Sequence, residues 1–116
     1  MHTSACAPDG RRRALLIGGG LLAGAGSMAW ARRAPMRHTV LMDATAYAPL
    51  ELTVHVGDSV EWVNKDPFPH TVTCAGVFDS GSIADAASWT YRPPKAGRFP
   101  YICVFHPNMK GTLIVI

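Results

Sequence analysis

Beyond residue 31 this sequence has no internal repeat, no low-complexity tract, no long helical period, and no Lys/Arg run interleaved with aromatics. A length of 116 residues without repeats bounds it to one domain. The missing helical period points away from a helical fold. The scattered charges exclude a nucleic-acid binder, which needs its basic residues gathered on one face.

The first third has a different character. Arg11, Arg12 and Arg13 precede an apolar run over residues 14–31 that contains Gly18, Gly19, Gly20, Leu21 and Leu22 and ends in Ala29, Trp30 and Ala31. A basic start, an apolar middle and small residues at an A-x-A-like end form the layout of a signal peptide. The order Arg12, Arg13, Ala14, Leu15, Leu16 also resembles a twin-arginine export signal, which is an address rather than an anchor. The expectation is cleavage after Ala31, giving a signal peptide over 1–31, a mature domain over 32–116, and export to the periplasm. The competing reading is a retained membrane anchor, since about 18 apolar residues approach the lower limit for spanning. Five glycines in the run weaken it as a helix. Eleven Lys and Arg less three, against eight Asp and Glu less one, leave the mature domain at +1. Part of the basic balance therefore belongs to the leader.

In the mature region short apolar alternations are divided by turn residues. Leu50, Leu52, Val54 and Val56 alternate with Glu51, Thr53 and His55, the period-two pattern of a half-buried strand. Gly57 and Asp58 make a turn into a strand over residues 59–64, with Val60 and Trp62 on one face. Residues 65–69 form a loop stiffened by Pro67 and Pro69, which delivers His70 to the start of a strand running to about residue 75. Further strands are expected over 40–43, 88–92, 98–103 and 110–116, after a loose lead-in over 32–38. This pattern predicts an all-β fold, an antiparallel β-sandwich of about seven or eight strands.

The chemistry concentrates near the end of the chain, where Cys103, His106 and Met109 are each three residues apart in a loop containing Pro107. A thiolate, an imidazole and a weak thioether, with a second imidazole to complete a trigonal His2Cys plane, form the ligand set of a copper electron-transfer centre. His70 is the candidate for that second imidazole. Gly111 permits close backbone approach just after the last ligand. Each residue also has an ordinary reading: Cys103 and Met109 as core, His106 as an exposed loop residue.

The segments Tyr47 to Val54, Gly57 to Asn64, Phe68 to Val72 and the Cys103, His106, Met109 loop together resemble the cupredoxin family, closest to its amicyanin, pseudoazurin and plastocyanin group. The resemblance runs from about Thr39 to Ile116. It implies a Greek-key sandwich and one type 1 copper ion held by His70, Cys103, His106 and Met109. The implied function is a periplasmic, monomeric one-electron carrier, not an enzyme. Its partners would be redox proteins in transient contact, a periplasmic dehydrogenase as donor and a c-type cytochrome or copper reductase as acceptor. The resemblance also assigns Asn64 as an outer-shell residue bonding the chain after Cys103 or its sulfur region. Phe68, Phe105 and Pro107 fall near the exposed edge of His106, as a partner patch or as ordinary loop packing.

Other readings compete. A Cys74–Cys103 disulfide would destroy the site; the reading adopted leaves Cys74 a packed free thiol and loses Cys6 with the leader. A multicopper enzyme needs more histidines than five. A periplasmic copper-handling protein is the alternative function. Zinc tolerates Cys and His but not thioether. His38 and His55 are read as solvated, and Trp62 and Trp89 as core or sheet-face aromatics.

Overall fold

The structure, a computed structural model, describes Cys6 and residues 33–116. The leader expected over 1–31, with its cleavage after Ala31, lies outside these residues apart from Cys6. No helix among the described residues is long and apolar enough to cross a membrane.

Among the described residues nine strands form two sheets: β1 (Arg37–Asp43), β2 (Ala46–Ala48), β3 (Glu51–Val54), β4 (Ser59–Asn64), β5 (Thr73–Cys74), β6 (Phe78–Asp79), β7 (Ser88–Tyr91), β8 (Gly97–Cys103) and β9 (His106–Val115). One sheet has the order β2-β1-β4-β7 and the other β3-β9-β8-β5-β6. The expected sandwich is therefore present, but its sheets are mixed rather than wholly antiparallel. The chain leaves the first sheet after Ala48 and enters the second at Glu51. On its return, β4 lies parallel to β1, and β3 lies parallel to β9. Alternation of apolar residues carries no strand direction, so only the crossing between sheets decides this.

Facing inward, Val40, Met42, Val60 and Trp62 of the first sheet meet Phe99, Tyr101, Leu113 and Val115 of the second. Trp62 lies at the centre, edge-on to Tyr101 at 5.6 Å and beside Trp89 at 5.6 Å. Gly111, opposite Tyr101 on β8, has no room for a side chain. A Cβ there would stand 2.6 Å from the Tyr101 hydroxyl, which is the close approach expected of it. The strand ends differ from expectation at Leu50 and Val56, both exposed just outside β3.

The lead-in is not loose, because the buried carboxylate of Asp58 gathers it. Asp58 accepts hydrogen bonds from the Met36 amide at 2.9 Å, the His55 amide at 3.0 Å and His38 Nε2 at 3.0 Å, with Arg33 at 3.5 Å. His38 is thus engaged rather than simply solvated, whereas His55 is exposed. The Met36 and His55 amides and the His38 ring hold the Asp58 carboxyl well below the usual carboxylate range, against the opposing effect of burial. A carboxyl depressed in the folded state stabilises above its unfolded pKa of about 3.9 and loses that contribution as pH falls through the folded value. Asp58→Asn should lower the melting temperature at pH 7 and make its fall below pH of about 4 shallower. Unfolding curves at several pH values check this, and parallel profiles for the two proteins would refute it.

Cys74 is buried with its sulfur against that of Cys6 in the full chain; cleavage after Ala31 would remove Cys6 and leave Cys74 a packed free thiol. The rival bridge to Cys103 is not formed. Cys103 is buried and free.

Candidate metal centre

Strand β8 ends on Cys103, Val104 and Phe105 make the turn, and His106 opens β9 opposite Cys103. The pairing then slips: Ile102 faces Lys110, so Pro107, Asn108 and Met109 have no partners on β8. This bulge folds the chain back on itself where two candidate ligands stand, and places Met109 among the buried residues. The return strand accordingly begins at His106 rather than at Lys110.

His70 arrives from the neighbouring loop. It is fixed by a two-way backbone bridge to Ile83, at 3.1 Å and 2.8 Å. Asn64, at the end of β4, organises this loop. Its side-chain nitrogen donates to the Phe68 and Ile83 carbonyls at 2.9 Å and 3.0 Å, and its oxygen accepts the Asp66 amide at 2.9 Å. The expected bond from Asn64 to the Cys103 region is therefore absent. Asn64 is fully occupied on the His70 side.

Thr71 carries the link that was expected of Asn64. Its amide donates to Cys103 Sγ at 3.3 Å, and its hydroxyl accepts the Val104 amide at 3.0 Å. One residue thus grips both the sulfur and the turn after it. The Thr71 carbonyl accepts the Tyr47 hydroxyl at 2.6 Å. Burial pushes the Tyr47 phenol far above its ordinary range, with Cys103 and Tyr101 adding to the shift, so this hydroxyl stays a donor.

The geometry joins three donor atoms. His70 Nδ1 and His106 Nδ1 each lie 3.7 Å from Cys103 Sγ, and all three lie within 4.8 Å of one another. A central metal with bonds of about 2.3 Å to sulfur and about 2.0 Å to nitrogen, spread at 120°, places sulfur and nitrogen about 3.7 Å apart. The residues present therefore fit a trigonal metal plane. His70 and Cys103 are fully buried, while His106 is partly open.

A residue passed over in the sequence completes the site. Asp66 Oδ2 lies 2.7 Å from His70 Nε2, and its two oxygens also accept the Ala44 and Thr45 amides at 2.8 Å and 2.9 Å. Burial would raise the Asp66 carboxyl, but the bonds from His70 and from the Thr45 and Ala44 amides outweigh it and hold the carboxyl low. A carboxylate four residues before the histidine in a proline-stiffened loop was the only sequence signal.

Outside the plane of these three donors, Phe68 packs edge-on to His70 at 5.3 Å and lies 5.6 Å from His106, with its outer face open. Val104 and Phe105, in the turn that precedes His106, are about half exposed.

The pattern of the cupredoxin-like domain matches residues 15–115. Amicyanin of Paracoccus denitrificans is 36% identical over 77 residues, covering 60% of this chain and 57% of that protein. Plastocyanin of Scenedesmus fuscus is 32% identical over 90 residues, covering 62% of this chain and 88% of the relative. The chain thus spans a little over half the length of the Paracoccus relative. Among solved structures, a methionine-to-alanine variant of amicyanin, Cu(I), superposes with a TM-score of 0.64 at 30% identity over 67% of this chain and 80% of that one. A purple cupredoxin from Nitrosopumilus maritimus superposes at 0.62 with 25% identity, over 67% and 98%.

Proposed function

The chain belongs to the cupredoxin-like domain family, and from that premise we propose that it is a one-electron carrier holding one type 1 copper ion on His70 Nδ1, Cys103 Sγ, His106 Nδ1 and, weakly, the Met109 thioether. The observation that carries the reading is the convergence of two imidazole nitrogens on one free, buried sulfur at 3.7 Å. When bound, the ion supplies a Cu(II)/Cu(I) couple tuned by its axial ligand and by the surroundings of the sulfur.

The chain's own residues hold the donors still. The Thr71 amide partly neutralises the sulfur's charge, and the Val104 amide on the Thr71 hydroxyl keeps the turn from moving away. His70 is clamped by Ile83 and Asp66. Donors fixed in this way need not rearrange when the charge between them changes, which keeps the barrier to electron transfer low. Buried, preformed ligands also favour a carrier over a protein that takes up copper and passes it on.

His106 is the ligand nearest solvent, and Phe68, Val104 and Phe105 make an apolar rim around it. Weak electron-transfer contacts are small and must release quickly, which suits this patch. We assign the partners as redox proteins, a periplasmic dehydrogenase as donor and a c-type cytochrome or copper reductase as acceptor. Export to the periplasm rests on the basic start and apolar run of residues 11–31.

The test is to load the protein with Cu(II) and record its visible spectrum. An intense band at about 600 nm, bleached by ascorbate and restored by an oxidant, supports the carrier. Copper bound without colour, with Cys103 still a free thiol, would replace it with copper handling.

A further inference from the structure

We propose that Asp66 is a positioning residue for electron transfer: through His70 it presents Nδ1 to the metal and holds the couple toward its oxidised form. The inference rests on the proposed copper site.

A neutral imidazole has one N–H and one lone pair. With Asp66 Oδ2 2.7 Å from Nε2, the N–H belongs on Nε2, which leaves the Nδ1 lone pair facing Cys103 Sγ at 3.7 Å. Carboxylate–histidine–metal arrangements of this kind fix the ring's orientation and raise its basicity. The carboxylate is itself immobilised. Its oxygens are held by the amides of Ala44 and Thr45, which stand in the tight turn between β1 and β2 with φ of 53° and 59°. Its own amide is tied to Asn64. Asp66 therefore carries a fixed anionic charge one imidazole width from the metal position, connecting a turn of the first sheet to a ligand beside the second.

A buried negative charge on a more basic ligand stabilises the higher-charged metal state and lowers the reduction potential. The two histidines differ in this respect. Among the described residues no protein group bonds the outer nitrogen of His106, so Asp66 acts on His70 alone. A purely structural role would cost stability and leave the potential where it was.

The test compares the full chain with Asp66→Asn and Asp66→Glu, each loaded with copper, by spectroelectrochemistry. Asp66→Asn should shift the Cu(II)/Cu(I) equilibrium at least tenfold toward Cu(I), a rise of about 59 mV for one electron, and Asp66→Glu should recover part of it. A blue Asp66→Asn protein with an unshifted or lowered potential would overturn the inference while leaving the carrier reading intact. A wild-type protein that takes copper without colour would overturn both. Should Asp66→Asn fail to fold, nitrogen-15 NMR of the wild-type apoprotein decides: a slowly exchanging proton on His70 Nε2 supports the assignment, and a proton on Nδ1 refutes it.

Discussion

Cys103→Ser, loaded with Cu(II), should show no band at about 600 nm and should lose most of its copper affinity, because a hydroxyl is not deprotonated at neutral pH and cannot replace a soft thiolate. The change removes a ligand atom without removing its surroundings. Cys103 is buried, and its Sγ accepts the Thr71 amide at 3.3 Å, a bond that a serine oxygen can also accept. The apoprotein should therefore keep its far-ultraviolet circular dichroism, with a stability loss of about 1–3 kcal/mol from a buried hydroxyl that is incompletely bonded. Loss of colour with a folded apoprotein assigns the band to Cys103. A persistent blue band would show that another residue supplies the thiolate and would dismantle the site.

Replacing Trp62 should have the largest effect on stability. Its indole is fully buried against Tyr101, Trp89 and Phe78, and its Nε1 donates to the Tyr101 hydroxyl at 3.2 Å. Burial pushes the Tyr101 phenol up to about 12, so it stays an uncharged hydroxyl at working pH while its oxygen accepts the indole N–H. Trp62→Ala removes the ring that both sheets share and opens a cavity, at a cost of about 3–5 kcal/mol. A domain of about 85 residues holds roughly 4–13 kcal/mol in all. Thermal unfolding should show a fall in melting temperature of more than about 12 °C. A fall of less than about 4 °C would mean that the core closes over the gap. The candidate metal site should respond less directly, since Trp62 reaches it through Tyr101 and Tyr47, whose rings lie 4.7 Å apart, and along β4 through Asn64.

The two halves of the candidate metal centre were unequally legible in the sequence. Cys103, His106 and Met109 lie within one loop, so spacing and donor chemistry suffice to suggest a shared site. His70 could be added because the donor set requires a second imidazole and a stiff loop supplies one. The residues that hold these ligands were harder to see. Asp66 acquires its role only when the turn at Ala44 and Thr45, some twenty residues upstream, folds against it. Thr71 grips the sulfur with a backbone amide, a group that every residue except proline possesses. Asn64 was assigned by likeness to a pattern, and its actual partners depend on how β4 meets Ile83.

The sheets divide similarly. Alternation placed Val60, Trp62 and Val54 correctly in the core, but it carries no strand direction, and the two parallel pairs went unseen. The short β2 strand is too brief for a periodic signal. The Asp58 hub joins residues 33–38 to the turn at 55–58, and its partners other than His55 lie some twenty residues away, outside any local window.

With the proposed copper at its Cys103 end, the hairpin of β8 and β9 would also make the molecule electrically lopsided. Gly97 stands opposite Val115 at one end of the hairpin and Cys103 opposite His106 at the other, six residue steps away at about 3.3 Å each, or about 20 Å. On an electrode, a linker at Lys95 or Ile116 would turn the conducting end toward solution, so the surface current would be small while a dissolved mediator still reacted freely. A linker at Asn108 would reverse both, giving a device whose polarity is chosen by the point of attachment.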